Sequence, residues 1–232
     1  MKKYLIVVAG GKGTRMGGET PKQFQLLCGK PVVMITLEHL HAIDPAIQLI
    51  LVLPAEHIEL WKELCKEHSF AVPLILTQGG ATRFHSVQNG LAQIDDLEEA
   101  IVGVHDGVRP FVSARVLDEC YREAWTHGAA IPMINLQDSL RHIVGVNGVT
   151  EVVQRDRYRL VQTPQVFKLS LLRRAYEQRF TESFTDDDSV VEALGEQIVG
   201  VEGNNENIKL TTPFDLMIAK TLIECSRPQQ EI

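Results

Sequence analysis

The chain begins with an apolar segment, Tyr4-Leu-Ile-Val-Val8, which runs directly into the loop Ala9-Gly-Gly-Lys-Gly-Thr-Arg-Met-Gly17. A short, unbroken apolar run rich in β-branched residues is typical of a strand that is covered on both faces of a parallel sheet. Glycines allow a sharp turn and let backbone N–H groups come close to an anion. The segment therefore predicts an anion-binding loop at the carboxyl end of a buried strand.

Cations near this loop favour a polyphosphate ligand, although two common phosphate-binding motifs are absent. Lys12, Arg15 and Lys22 follow the strand closely in a chain whose net charge is −7. The P-loop needs Ser or Thr directly after its Gly-Lys pair, whereas Gly13 follows Lys12. The dinucleotide fingerprint needs a small residue where this chain has Met16. For this loop alone, a glycine turn with solvated charges remains the alternative.

Composition narrows the class of protein. The chain has 232 residues and is 44% hydrophobic, enough to build the core of one α/β domain. Its negative charge argues against a nucleic-acid partner, and its four cysteines lack the spacing of a metal or redox site. No segment approaches the roughly 20 apolar residues of a membrane span or the roughly 7–15 of a signal-peptide core. We expect a cytoplasmic protein that binds neither nucleic acid nor membrane.

Strand-like and helix-like patterns alternate along most of the chain. Strands are predicted at residues 4–8, 48–53, 74–76, 100–105, 129–133 and 197–201, and helices at residues 31–40, 57–68, 114–126, 169–180, 190–194 and 213–225. Such alternation is typical of a mostly parallel sheet with helices on both faces. We therefore predict one Rossmann-like α/β domain over residues 1–232.

One excursion interrupts this alternation. Strand-like runs at residues 139–146 and 149–154 flank Asn147-Gly148, a strong hairpin signal. Because a two-stranded hairpin is marginally stable alone, it must pack on another surface. We predict a β-arm at about residues 136–157 that embraces a second subunit. The alternative is that the hairpin packs on its own domain.

Polar residues lie where the predicted strands end, which is where open α/β sheets bind ligands. Asp106 ends a buried strand, a position from which an aspartate can reach a metal or a ligand hydroxyl; alternatively it forms an Asx turn or caps the helix that begins near Ala114. Ser86 could similarly cap a helix, and His105 is interpreted as structural. The polar residues expected at this rim are Arg15, Lys22, Arg83, Ser86, Asp106, Arg109 and Lys209, with Arg155 and Thr163 nearby if the arm folds over.

Cations outnumber acids in this set, as expected of a site for several phosphates and one metal. No serine–histidine or cysteine–histidine pair suggests covalent catalysis. A phosphomonoester is mostly dianionic at neutral pH and can attack the α-phosphorus of a nucleoside triphosphate if both anions are held in line. The residues therefore favour nucleotidyl transfer to a phosphate.

Short motifs spread over nearly the whole chain occur in a fixed order. They are Ala9-Gly-Gly-x-Gly-x-Arg-Met16, Pro21-Lys-Gln-Phe24, Gly80-x-x-Arg-x-x-Ser86, His105-Asp-Gly-Val-Arg-Pro110, Gln162-Thr-Pro-Gln165, Thr185-Asp-Asp187 and Asn207-Ile-Lys209. Together they resemble the 2-C-methyl-D-erythritol 4-phosphate cytidylyltransferase family. The resemblance implies a nucleotide-binding α/β fold, CTP and Mg²⁺, a homodimer joined by a projecting arm, and a role in non-mevalonate isoprenoid biosynthesis.

The resemblance also implies roles for single residues. Arg15 and Lys22 match transition-state stabilisers on the triphosphate, Arg155 and Lys209 match residues that position the sugar phosphate, and Asp106 matches an aspartate near the metal. The implied CTP-binding residues are Ala9, Gly10, Gly11, Gly13, Gly80, Ala81, Arg83 and Ser86, and the implied acceptor-binding residues are Asp106, Arg109, Ser139 and Thr163. In the family, the residues matching Arg155 and Ser139 come from the partner subunit.

Two positions depart from the usual family pattern. Gly10 stands where alanine is usual, and Ser139 where threonine is usual. Glycine at position 10 is more typical of the sister family, ribitol-5-phosphate cytidylyltransferase, whereas the segment 185–192 resembles the erythritol-phosphate branch. We therefore expect 2-C-methyl-D-erythritol 4-phosphate as the acceptor. Ribitol 5-phosphate and a non-catalytic nucleotide-binding regulator are the alternatives.

Overall fold

The structure is a computed structural model that describes residues 1–11, 20–95, 99–145 and 147–226. Its strands are β1 (Lys3–Val8), β2 (Leu26–Leu27), β3 (Lys30–Pro31), β4 (Gln48–Leu53), β5 (Leu74–Gln78), β6 (Ile101–Asp106), β7 (Ala129–Asn135), β8 (Arg141–Ile143), β9 (Thr150–Val152), β10 (Arg159–Val161), β11 (Gln165–Lys168) and β12 (Val199–Glu202). Its helices are α1 (Val32–Ile43), α2 (Ile58–Glu67), α3 (Arg83–Leu91), α4 (Ala114–His127), α5 (Leu169–Tyr176), α6 (Asp187–Glu192) and α7 (Pro213–Ser226).

An eight-stranded sheet organises the molecule. Strands β5, β4, β1 and β6 are neighbours in that order, and all pair in parallel. Strand β11 runs antiparallel between β6 and β7, while β12 pairs in parallel with β7. All the strands of this sheet except β10 and β11 therefore share one direction. The predicted mostly parallel sheet is confirmed.

The sheet is covered on both faces, as predicted. Successive residues of a strand point to opposite faces, and Leu5 and Ile6 of β1, both 0% exposed, enter different apolar clusters. Leu5 packs in a cluster that includes residues of α1, α2 and α4. Ile6 packs in a cluster that includes residues of α3, α5 and α6. Burial on both faces explains why β1 is an unbroken apolar run.

Side-chain caps fix the starts of three helices, and the caps of α3 and α4 differ from the sequence-based expectation. Ser113 caps α4 by accepting from the Val116 N–H over 3.2 Å, so the prediction that Asp106 could cap this helix is wrong. Thr82 caps α3, so the predicted capping role of Ser86 is also wrong. Asp186 caps α6. Which residue caps a helix depends on its backbone angles, and the amino-acid sequence alone does not determine these angles.

Two short antiparallel strands of the main sheet were not predicted. Strand β10 pairs with the end of β7, and β11 pairs with β6 and the start of β7. A cis peptide bond joins Thr163 to Pro164 between them. Helix α5 also ends at Tyr176, before the predicted end at Phe180, whose ring instead contacts that of Phe84. These elements are too short for a repeating hydrophobic pattern to define them.

The predicted arm lies apart from the main sheet. Strands β8 and β9 pair only with each other among the described strands. Apolar side chains on the arm are exposed, among them Ile143 at 68% and Val152 at 79%. This exposure argues against the alternative in which the hairpin packs on its own domain. Elsewhere, no helix in the described part of the chain is long and apolar enough to cross a bilayer.

Candidate active site

A cavity of about 310 Å³ opens at the carboxyl ends of β1, β4, β5 and β6. Register brings these ends together, because Val8 lies beside both Val52 and Asp106 in the sheet. This is the edge at which the sequence predicted the ligand. The predicted site residues that line the cavity are Ala9, Gly10, Gly11, Lys22, Gly80, Ala81, Arg83, Ser86, Asp106 and Lys209.

Two backbone loops form facing parts of the cavity wall. At Gly80, an added Cβ would lie 2.4 Å from the His85 Cβ, so only glycine fits without a shift. The Gly80 N–H donates to Ser86 Oγ over 3.1 Å, and Ser86 Oγ donates to the Thr82 carbonyl over 2.9 Å. Ser86 therefore fixes the shape of this loop. At Gly10, by contrast, an added Cβ would make an ordinary 3.7 Å contact with Pro54.

Lys22 reaches the cavity from a single 3₁₀ turn, Lys22–Phe24, which follows Pro21. The turn is anchored because the next two residues, Gln23 and Phe24, are buried. An added Cβ at Gly11 would lie 2.7 Å from the Lys22 Cε. The lysine side chain therefore lies directly against Gly11.

Asp106 pairs with two cations, Lys209, which lines the cavity, and Arg109, which does not. Its Oδ2 lies 3.0 Å from Lys209 Nζ and 3.1 Å from Arg109 Nε. Burial alone raises the pKa of this carboxyl, but Lys209, Arg83 and Arg109 lower the pKa by more, and the net value falls well below the usual range. Asp106 is therefore ionised at neutral pH. It can hold cations, but it carries no proton to donate.

His105 and Thr163 lie behind Asp106, out of contact with the cavity. Thr163 is 1% exposed, and its Oγ1 accepts from the Asp106 N–H over 3.1 Å. His105 is fully buried, which lowers the pKa of its ring to about 4, so the ring is neutral at neutral pH. The ring bonds to the Thr163 hydroxyl and to the Arg109 carbonyl.

Arg83 is tied to helix α6. Its Nη2 lies 2.5 Å from Asp187 Oδ2 and 2.9 Å from Asp186 Oδ1. The fully buried Asp187 also accepts from the Tyr176 hydroxyl over 2.5 Å. The sequence pattern alone did not reveal this pairing. Arg83 and Asp187 are too far apart in the chain for local spacing to reveal it.

Some predicted site residues are not at the cavity. Ser139 and Arg155 are exposed on the arm, and Arg155 Nη1 donates to the Gln137 carbonyl over 2.7 Å. Neither lines the cavity of its own chain. Gly13 and Arg15 lie outside the described residues.

Asp106 is also the acid on the cavity wall that could contact a divalent cation. Among the described residues, no group of three or more His, Cys, Asp or Glu side chains could hold an ion by itself. Mg²⁺ is commonly held by one or two carboxylates together with substrate phosphates. The donor set therefore fits an ion shared between Asp106 and a bound nucleotide.

Comparisons with known proteins agree on one family. The model of the family described as 2-C-methyl-D-erythritol 4-phosphate cytidylyltransferase matches residues 4–225. The chain is 53% identical over 223 residues to the protein of that name from Bacteroides fragilis, covering 96% of this chain and 100% of the relative. It is 38% identical to the Bacillus velezensis protein of the same name, covering 97% of each chain.

Solved structures of proteins named for the same activity share this fold. The Francisella tularensis enzyme matches with a TM-score of 0.79 and 29% identity, over 95% of this chain and 99% of that one. The Thermus thermophilus enzyme matches with a TM-score of 0.71 and 30% identity, over 96% of this chain and 98% of that one. The resemblance stated from the sequence motifs is confirmed.

Proposed function

The chain belongs to the 2-C-methyl-D-erythritol 4-phosphate cytidylyltransferase family, and we propose that it transfers the cytidylyl group of CTP to 2-C-methyl-D-erythritol 4-phosphate. The products are 4-diphosphocytidyl-2-C-methyl-D-erythritol and pyrophosphate, in non-mevalonate isoprenoid biosynthesis. The observation that carries the proposal is the meeting of two glycine loops with Lys22, Asp106 and Lys209 around one cavity.

The reaction joins one acceptor phosphate oxygen to the α-phosphorus of CTP and breaks the bond from that phosphorus to the bridging oxygen. Pyrophosphate leaves with the electron pair. The acceptor phosphate is already dianionic at neutral pH, so no general base is needed. This agrees with a site whose described carboxylate, Asp106, is held ionised by cations.

The residues of the chain supply binding and charge. The loops at Gly11 and Gly80 approach the nucleotide closely, and Lys22 offsets negative charge on the triphosphate. We assign Arg15 the same role from the family motif. Lys209 and Arg109, held together by Asp106, bind the acceptor phosphate. Holding two anions in line is the main catalytic task, and cations serve it.

Mg²⁺ is part of the proposal, with Asp106 and the nucleotide phosphates as its ligands. When bound, it would neutralise charge on the triphosphate and the leaving pyrophosphate. Removing divalent ions with EDTA should abolish turnover, and added Mg²⁺ should restore it. Calorimetry should also show that CTP binds more weakly without Mg²⁺. Metal-independent binding and turnover would contradict this part.

Ribitol 5-phosphate, the acceptor of the sister family, is the alternative substrate, because Gly10 is more typical of that family. The family match favours 2-C-methyl-D-erythritol 4-phosphate instead. The test is pyrophosphate release from CTP and Mg²⁺ with each sugar phosphate in turn. We expect rapid release with 2-C-methyl-D-erythritol 4-phosphate. Faster release with ribitol 5-phosphate would reassign the acceptor, and release with neither would leave only the nucleotide-binding regulator.

We further propose that the active unit is a homodimer joined by the arm. The arm exposes Ile143 and Val152, which would be costly in water unless another surface covers them. Arg155 and Ser139 lie on the same arm, away from the cavity of their own chain. A second copy could supply both residues. The cytoplasmic location stays a prediction, and it suits an enzyme that consumes CTP.

A further inference from the structure

A chain of hydrogen bonds runs behind the cavity wall from Asp106 to Arg109. The Asp106 N–H donates to Thr163 Oγ1 over 3.1 Å, and this oxygen lies 3.0 Å from His105 Nδ1. His105 Nε2 lies 2.9 Å from the Arg109 carbonyl oxygen. A carbonyl can only accept, so Nε2 carries the ring proton, and in the neutral ring Nδ1 accepts from the Thr163 hydroxyl. The carbonyl partner therefore places a ring proton on Nε2.

The Thr163 hydroxyl has no proton left for a ligand. It donates its single proton to His105 and accepts from Asp106, and the residue is 1% exposed. The Thr163 carbonyl also accepts from Asn207 Nδ2 over 2.8 Å, and Asn207 is fully buried. Thr163 is therefore held from two sides at a place where it supports Asp106 and does not touch the cavity.

The same bonds fix the turn that carries the acceptor-binding charges. The Arg109 N–H closes the turn on the Asp106 carbonyl over 3.0 Å, and the His105 ring spans it from inside. The Arg109 side chain then reaches Asp106 Oδ2 and the Asn207 carbonyl. None of these bonds involves the loops at Gly11 or Gly80.

We propose that His105 is a positioning residue for the acceptor end of the site, acting through Thr163 and the turn from Asp106 to Arg109. The proposal rests on the proposed function, because the acceptor phosphate is the ligand assigned to Arg109 and Lys209. A buried hydrogen bond that is lost leaves its partner unsatisfied, and the turn then relaxes. Acceptor binding should suffer, whereas CTP binding should not.

Two variants of His105 and two of Thr163 distinguish the hydrogen bond to Thr163 from the hydrogen bond to the Arg109 carbonyl. In His105→Gln the amide can still donate near the position of Nε2, but the acceptor for Thr163 is lost. In His105→Asn the amide oxygen replaces Nδ1, but the donor to the Arg109 carbonyl is lost. Thr163→Val removes the hydroxyl at nearly constant shape, and Thr163→Ser retains it.

The readout is the Michaelis constant for each substrate. We expect Thr163→Val and His105→Gln to raise KM for the acceptor about tenfold, with KM for CTP changed less than about twofold. The double variant should lose little more than either single variant, because both remove the same bond. Thr163→Ser should stay near wild type. Equal changes in both KM values, or no change in either, would overturn the proposal.

A matched control removes a buried hydrogen bond far from the cavity. The Tyr121 hydroxyl donates to the Tyr4 carbonyl over 2.6 Å, near the beginning of β1. Tyr121→Phe should lower the thermal midpoint without altering KM for the acceptor. If His105→Gln behaves in the same way, its role is structural and the proposal fails.

One measurement does not depend on turnover. In ¹⁵N NMR, His105 should carry a proton on Nε2, where the ring faces the Arg109 carbonyl, and Thr163→Val should shift its Nδ1 resonance. A ring without a proton on Nε2, or an Nδ1 resonance that Thr163→Val leaves unchanged, would overturn the proposal even in an active enzyme. If the wild type released no pyrophosphate with either sugar phosphate, the proposed function would fail instead. Direct binding of each sugar phosphate to the His105 variants would then test the positioning role.

Discussion

At the scale of single residues, Asp106 shows that neighbours can outweigh burial. Burial favours the neutral acid, yet Lys209 and Arg109 lie within 3.1 Å of its Oδ2 and keep it charged. The nearby His105 is equally buried but bonds only to neutral groups, so burial wins and the ring is neutral. Two adjacent residues of one motif are therefore in opposite states: Asp106 is charged and His105 is neutral.

Gly10 can be tested against Gly80. We expect Gly10→Ala to be active and as stable as wild type or up to about 1 kcal/mol more stable, because its Cβ meets only Pro54 at 3.7 Å and alanine restricts the unfolded chain. Gly80→Ala should raise KM for CTP and lower stability, since its Cβ would lie 2.4 Å from that of His85. Steady-state kinetics and urea unfolding measure both. An inactive Gly10→Ala would mean that glycine is required there.

The Lys22 ammonium should act mainly in the transition state. Lys22→Ala should lower kcat by about 10²-fold or more, with a much smaller change in KM for the acceptor, because negative charge on the leaving pyrophosphate grows during bond cleavage. Lys30→Ala is the control: Lys30 pairs with Glu38 at 2.8 Å on the surface, so its removal should leave kcat unchanged. An unaltered kcat in Lys22→Ala would remove Lys22 from the catalytic set.

At the scale of elements, α6 anchors α3 through charge. Replacing the buried carboxylate in Asp187→Asn should cost about 2–3 kcal/mol of unfolding free energy, because Arg83 loses one of its two acids and the single amide oxygen can accept from Arg83 or from Tyr176 but not from both. The loop before α3 should also loosen and raise KM for CTP.

The control for this change is Asp188→Asn. Asp188 Oδ1 accepts from the Ser189 N–H, and an amide oxygen can keep that bond, so the expected loss is below about 1 kcal/mol. Urea unfolding at pH 7 compares the two variants. Equal losses would show that the ion pair adds nothing beyond the helix cap.

Long apolar strands were predictable from the sequence, and the short hairpin of β8 and β9 was predictable from its Asn-Gly turn, but other short strands were not. Strand β4 has its predicted bounds, Gln48–Leu53, because an unbroken apolar run flanked by polar residues and Pro54 leaves little choice. Strands β10 and β11 escaped prediction, since each is short and gains its order from neighbours in the sheet. The ion pair between α3 and α6 was missed for a related reason: it joins segments that only folding brings together.

At the scale of the whole molecule, burial should grade the reactivity of the free thiols. Cys28 and Cys225 are exposed, whereas burial raises the pKa of Cys120 to about 12 and also raises that of Cys65. At pH 8 a disulfide reagent such as DTNB should modify Cys28 and Cys225 first, Cys65 more slowly, and Cys120 only after unfolding. Mass spectrometry of quenched samples gives the order. Early modification of Cys120 would contradict its placement in the core.

A shared site should be visible by mixing inactive chains. Arg155→Ala should mainly raise KM for the acceptor, and Lys22→Ala should lower kcat. If the arm crosses to a partner, a heterodimer of the two variants has one site with both Lys22 and Arg155 and one site with neither. Such a heterodimer should recover up to about half of the activity of the wild-type dimer. Heterodimers verified by tandem tags but without recovery would show that each chain uses its own Arg155.

The sequence by itself determined the mostly parallel sheet, the sheet edge at which the cavity opens, and the family. The buried strands are unbroken apolar runs, and the glycines and charged residues that follow a run mark the end of the strand. The local sequence pattern was therefore sufficient to predict them. Tertiary structure alone decided that Thr163 and His105 stand behind Asp106, that Arg83 is held by Asp187, and that Arg155 lies away from the cavity of its own chain. These relations depend on hydrogen bonds and ion pairs between distant segments. Residue type fixes which bonds a side chain can make, and the folded chain fixes which partners it meets.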